Sequence, residues 1–183
     1  MNSCNPAFIE WGRRVGVDNF YTYIDKLGLT SKTGIDIAGE AGTIIHKKEN
    51  VGEVELATMS FGQSFQITPM QMLRAAAAIV NGGNLVTPHF AIRTCAADKT
   101  TYSEFSYSTT QEAVSKETSD TMKDILRQVV EEGGGKNAYI EGFSIGGKTA
   151  TSQKLPRGSG KYIASFIGFS DVTDPSVIAM CLI

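Results

Sequence analysis

Lys148 is where chemistry concentrates in this chain. Gly142-Phe143-Ser144-Ile145-Gly146-Gly147-Lys148-Thr149 satisfies G-x-x-x-x-G-K-[ST], in which backbone N–H groups and a following helix N-terminus cradle phosphate and the Thr holds Mg²⁺. Phe166–Ser170 followed by Asp171 would supply the apolar strand ending in an acid. The context opposes this nucleotide-binding reading. A helix must begin at the Lys, yet Pro156, Gly158 and Gly160 follow within two or three turns, too soon for a crossover before the next strand. The same residues also read as Lys148-Thr149-Ala150-Thr151 on an extended segment, and Ser3-Cys4-Asn5 is an S-x-N triplet. Either triplet alone arises easily by chance. A second K-T-G, Lys32-Thr33-Gly34, lies in a glycine-rich loop and reads as structural. Cys4, Cys95 and Cys181 are odd in number with no C-x-x-C, and His46 and His89 have no ligand-like spacing. Neither a disulfide framework nor a metal site is expected, and no cofactor.

The elements that must position these residues follow from composition and period. The 183 residues carry 17 Lys plus Arg and 19 Asp plus Glu, a net charge of −2, with 42% hydrophobic and 20% charged residues. That suits one globular domain and no nucleic-acid partner. The apolar runs Ala75–Val80 and Val177–Ile183 fall far short of the roughly 20 residues of a membrane span, and no signal peptide opens the chain, so a soluble polypeptide is expected. Asn5 as N-cap and Pro6 at the first helical position open a helix that stops at Gly16. Asp18 caps a second that ends at Gly28. Residues 29–50 are loop-like. Thr68-Pro69-Met70-Gln71 is a capping-box pattern opening an alanine-rich helix to Gly82, and Met122, Ile125, Leu126, Val129 and Val130 mark another over about Lys116–Glu132. Phe143–Gln153, Tyr162–Ser170 and Ser176–Ile183 then read as strands, the first two antiparallel and the last buried. Strands after helices without strict alternation indicate α+β. The abrupt apolar finish and immediate helical start suggest a piece cut from a longer chain at both ends.

Taken together the motifs are familiar. Residues 2–10 (NSCNPAFIE), 32–40 (KTGIDIAGE), 59–64 (MSFGQS) leading into 68–71 (TPMQ), 76–83 (AAAIVNGG), 146–154 (GGKTATSQK) and 162–169 (YIASFIGF) occur in an order and spacing that resembles the C-terminal part of the transpeptidase domain of class B penicillin-binding proteins, those of the sporulation type in particular. The set S-x-x-K, S-x-N and K-T-G marks this superfamily. The resemblance implies that residues 1–183 are one partial domain of the penicillin-binding and β-lactamase fold, with helices packed on an antiparallel sheet. It implies cross-linking of peptidoglycan by an acyl-enzyme formed from D-Ala-D-Ala stem peptides, with β-lactams acylating the same serine.

It also assigns roles. Lys148 places positive charge beside nucleophile and leaving group, Ser3 shares its network and passes a proton to the leaving amine, and Asn5 holds the substrate amide. Thr149 and Thr151 bind the terminal carboxylate, and the Thr151 N–H is half of the oxyanion hole. Lys148 and the two threonine side chains are expected to line one cleft opposite Ser3 and Asn5. Ala150 stands where the family has Gly, which should tighten the substrate-binding strand slightly. The larger departure is that no serine in the chain has lysine three residues later. The S-x-x-K nucleophile is therefore expected in a missing N-terminal part of the domain, which becomes this chain's first partner, and the 183 residues alone are expected to be inactive. A parent protein at the outer face of the bacterial cell membrane is implied. Alternatives are a serine β-lactamase or penicillin sensor of the same fold, a non-enzymatic scaffold for cell-wall peptides, and the nucleotide-binding loop.

Overall fold

A computed structural model describes residues 3–154, 156 and 158–183; Asn2, which opens the first of the stretches above, lies outside them. The first helical stretch, α1 (Asn5–Lys26), is two helices joined at Gly16, whose φ of 76° and ψ of 163° are non-helical. This kink is the boundary read from the glycine, since a left-handed φ is routine only for Gly. One detail differs: Cys4 holds the N-cap position with no side-chain cap, and Asn5 is already helical. The Asn5 amide is thus not used in capping.

A short helix absent from the sequence reading, α2 (Glu53–Ser60), packs on α1. Its eight residues show little amphipathic period, which hid it. Gly52 begins it, with the Glu55 carboxylate accepting from the Gly52 N–H at 2.9 Å. Tyr21 and Ile24 of α1 and Met59 of α2 form one core cluster. Next comes α3 (Pro69–Val80), where the expected capping box is present: Thr68 Oγ1 accepts from the Gln71 N–H at 3.1 Å, and Gln71 Oε1 accepts from the Thr68 N–H at 2.8 Å. The fully buried Gln71 amide also donates to Ser31 O and Thr43 Oγ1, each at 2.7 Å, tying the 29–43 loop to the helix. In that loop Glu40 accepts from the Thr33 N–H at 2.7 Å and the Gly34 N–H at 3.2 Å. The second K-T-G is locked by its own loop and is structural.

Small antiparallel pairs follow: β1 (Leu85–Val86) with β4 (Thr109–Thr110), and β2 (Arg93–Cys95) with β3 (Tyr102–Glu104). Ser115 caps α4 (Lys116–Glu131) by accepting from the Thr118 N–H. The main sheet is antiparallel in the order β5 (Ile145–Gln153), β6 (Tyr162–Ser170), β7 (Val177–Leu182). Helices α3 and α4 cover one face of it, with Val80, Phe169 and Val172 as the buried centre. The architecture is α+β, as the order of elements implied. The last strand is not buried, however: Val177 is 59% and Leu182 46% exposed. Its apolar run reflects β-propensity and pairing with β6 more than enclosure. No helix among the described residues is long and apolar enough to cross a membrane.

Candidate active site

Lys148, Thr149, Ala150 and Thr151 lie in the middle of β5, paired with Ile167, Phe166, Ser165 and Ala164. No helix begins at the Lys, which removes the nucleotide-binding reading: a phosphate loop without its helix N-terminus has lost half its donors.

Three observations fix the phase of the ladder. The Lys154 N–H donates to Lys161 O at 2.9 Å. Ser165 Oγ donates to Ala150 O at 3.5 Å. On the far side of β6, the Ala164 N–H and O pair with Ile183, so odd-numbered residues of β6 turn toward β5. Lys148, Ala150 and Ser152 therefore direct their backbone groups to β6. Thr149, Thr151 and Gln153 direct theirs to the opposite edge of β5, which has no strand beside it among the described residues. An open edge with a regular run of donors and acceptors is a template for an extended peptide.

Side chains alternate the other way. Lys148 and Ala150 face the helices and line a cavity of about 290 Å³ with Met72, Leu126, Ile167 and Met180 among its walls. Thr149 and Thr151 are exposed on the opposite face. The three side chains do not share one cleft, contrary to the expectation; what unites them is the open edge. Lys148 reaches over that edge, its Nζ donating to Thr149 O at 2.7 Å. Partial burial above an apolar floor holds the Lys148 ammonium below its ordinary value of 10.5, because desolvation penalises the charged form. No carboxylate lines the cavity among the described residues. A half-sheltered cation whose hydrogen bond goes to a backbone carbonyl is poised for a polar or anionic ligand.

Ser3 and Asn5 sit where α1 begins. Both are exposed, and Ser3 has a left-handed φ of 48°, a conformation that costs about 1 kcal/mol or more in a non-glycine residue and recurs at functional sites. No hydrogen bond or ion pair joins either residue to β5 among the described residues. The structure thus assembles Lys148, Thr149, Ala150 and Thr151 on one strand and leaves Ser3 and Asn5 on a separate element. The apolar floor under Lys148, drawn from α3, α4 and the sheet, was not identified from sequence. Its signal was the set of apolar residues shared between helical and strand periods.

The fold and this strand define a class. The family model described as "Penicillin binding protein transpeptidase domain" matches residues 1–183, and the chain belongs to that family. It is 43% identical over 182 residues to stage V sporulation protein D of Bacillus subtilis, which covers 97% of this chain and 28% of that protein. It is 26% identical over 204 residues to the "peptidoglycan D,D-transpeptidase FtsI homolog" of Mesostigma viride, covering all of this chain and 34% of that one. Among solved structures, penicillin-binding protein 3 of Mycobacterium tuberculosis complexed with aztreonam superposes with a TM-score of 0.90 at 28% identity, over 99% of this chain and 43% of that one. The chain thus spans under a third of the length of stage V sporulation protein D.

The methyl group of Ala150 is exposed at the strand surface. Replacing it by Gly should change β-lactam acylation by only about fourfold, the equivalent of roughly 0.8 kcal/mol for one carbon. Stopped-flow acylation of the completed domain (these residues joined to an S-x-x-K segment of the same family) measures this. A loss of several hundred-fold would mean that the methyl itself shapes the site.

Proposed function

We propose that these 183 residues are the C-terminal portion of the catalytic domain of a peptidoglycan D,D-transpeptidase at the outer face of the cytoplasmic membrane, with a sporulation-stage role as the likeness to stage V sporulation protein D suggests. The observation that carries this is the half-sheltered Lys148 ammonium at the open edge of β5, where it holds the Thr149 carbonyl and where the Thr149 N–H and the Thr151 N–H and C=O have no strand partner among the described residues. A stem peptide ending in D-Ala-D-Ala adds to that edge as an antiparallel strand. Its terminal carboxylate meets the Thr149 and Thr151 hydroxyls and the Lys148 ammonium, and the scissile carbonyl oxygen accepts from the Thr151 N–H.

The attacking serine and its lysine come from an S-x-x-K segment outside these residues, since no serine here has that partner. The serine gives its proton to that lysine as its oxygen bonds to the carbonyl carbon of the penultimate D-Ala, and the C–N bond breaks. Ser3, fed by Lys148, delivers the proton to the leaving D-Ala amine, while Asn5 holds the substrate amide. An acceptor amine then attacks the ester and releases the serine. A β-lactam follows the first half and stops there.

Depsipeptide turnover by the completed domain tests this. Adding an amine acceptor is expected to divert product from free acid to a new amide, while benzylpenicillin is held and not turned over. Rapid catalytic hydrolysis of penicillin would instead place the domain with β-lactamases.

A further inference from the structure

Past Thr151 the same strand runs into a second cavity, of about 670 Å³, walled on the sheet side by Ser152, Gln153 and Lys154 and on the other by His46, Gln63 and Ser64. The far wall is held firmly. Ile44 and Gln66 exchange both backbone hydrogen bonds at 2.9 and 2.8 Å, and Tyr21 OH donates to His46 O at 2.6 Å. Ser64 has a left-handed φ of 66°, backbone strain of the kind found at ligand clamps. Among the described residues the lining includes two basic side chains, His46 and Lys154, and no Asp or Glu. His46 already has Glu55 within electrostatic reach, while Lys154 makes no ion pair among the described residues. Lys154 itself is fixed at the end of the ladder by its N–H on Lys161 O.

Geometry joins this cavity to the open edge. In an antiparallel added strand, the carboxyl end lies near Thr149, the penultimate D-Ala with its scissile carbonyl opposite Thr151, and the residue before D-Ala-D-Ala opposite Ser152, one step of about 3.3 Å further on. Gln153 turns its N–H and C=O to the same edge, so the added strand finds a backbone partner there. Ser152 and Lys154 turn their side chains to the face on which the cavity lies.

We propose that the cavity is a subsite for the donor-peptide residue preceding D-Ala-D-Ala, and that it selects a carboxylate-bearing side chain through the Lys154 ammonium. This rests on the strand-addition reading of β5 given above. Specificity for an anionic group then comes from the Lys154 ammonium, with no competing acid among the described residues of the wall.

Titration of the ¹⁵N-labelled 183-residue chain with N-acetyl-Glu-D-Ala-D-Ala, its Gln counterpart and its Lys counterpart tests it, reading amide shifts of residues 149–153. The Glu peptide is expected to bind about five- to tenfold tighter than the Gln peptide, as one hydrogen bond to a charged group permits, and the Lys peptide weaker than both. Lys154→Gln is expected to abolish that preference and leave the Gln peptide within about twofold of its affinity for the unmodified chain. Shifts at Thr149–Thr151 without a preference for Glu, or a preference that survives Lys154→Gln, would overturn the subsite and leave strand addition standing. No shift at Thr149–Thr151 with any peptide would overturn strand addition, and the subsite with it.

Discussion

Replacing Lys148 by Met in the completed domain should slow β-lactam acylation on the order of 10³-fold, the range for removing a positioned proton-transfer group together with a charge aimed at the reacting centre. The same change should make the protein more stable. The Lys148 ammonium sits partly buried over Met72, Leu126, Ile167 and Met180, a floor that suits a thioether better than a cation. Because solvent still screens much of this ammonium, only a small rise in Tm is expected at neutral pH. The pH dependence has a definite sign. Burial lowers the folded-state pKa of Lys148 below 10.5, so the cost of the buried charge is present in full below that lowered value. Between it and 10.5 the unfolded chain holds the proton longer, and stability rises with pH. The gap between the native chain and the Lys148→Met variant should therefore close across that window, which thermal unfolding at a series of alkaline pH values would reveal. Equal acylation rates in the two proteins would remove Lys148 from the chemistry.

Gly147→Ala should damage fold and activity at once. A Cβ at this position would stand 2.5 Å from Phe166 Cζ and 2.7 Å from Ile167 O. The ring can turn, but the carbonyl belongs to the paired strand and moves only if the ladder moves. Overpacking of this kind costs about 1–3 kcal/mol, a fall in Tm of roughly 2–12 °C. The strand that shifts is the one bearing Lys148 and Thr151, and a displacement near 1 Å at reacting groups costs on the order of 10² in rate. Gly134, with nothing within 4 Å of an added Cβ and no left-handed φ, supplies the control: Gly134→Ala should stay within about 0.5 kcal/mol of the native chain. Equal effects at the two glycines would mean that the close approach at Gly147 is relieved without moving the strand.

What was legible in the amino-acid order depended on whether the signal was local. The kink at Gly16, the Thr68–Gln71 capping box and the pairing of residues 145–153 with 162–170 each rest on a few adjacent residues whose steric preferences leave little choice. Helix α2 was missed because eight residues are too few for a period to emerge. The run Val177–Ile183 misled because β-branched and apolar residues mark a strand without saying what covers it. At the site, the motif placed Lys148, Thr149 and Thr151 on one strand but not on one face. Their faces follow from the alternation of the strand, whereas the direction of their backbone groups depended on the ladder with β6, a long-range fact. The cavity beyond Thr151 was invisible for the same reason. His46 and Ser64 reach it through the Ile44–Gln66 bridge, and no spacing in the chain announces that contact.

Intact-mass spectrometry with excess benzylpenicillin bears most directly on a strand that positions a substrate for a serine it does not itself contain. The 183 residues alone should keep their mass, while the same residues joined to an S-x-x-K segment should gain one penicilloyl group per chain. A full adduct on the 183 residues by themselves, or none on the joined protein, would contradict it.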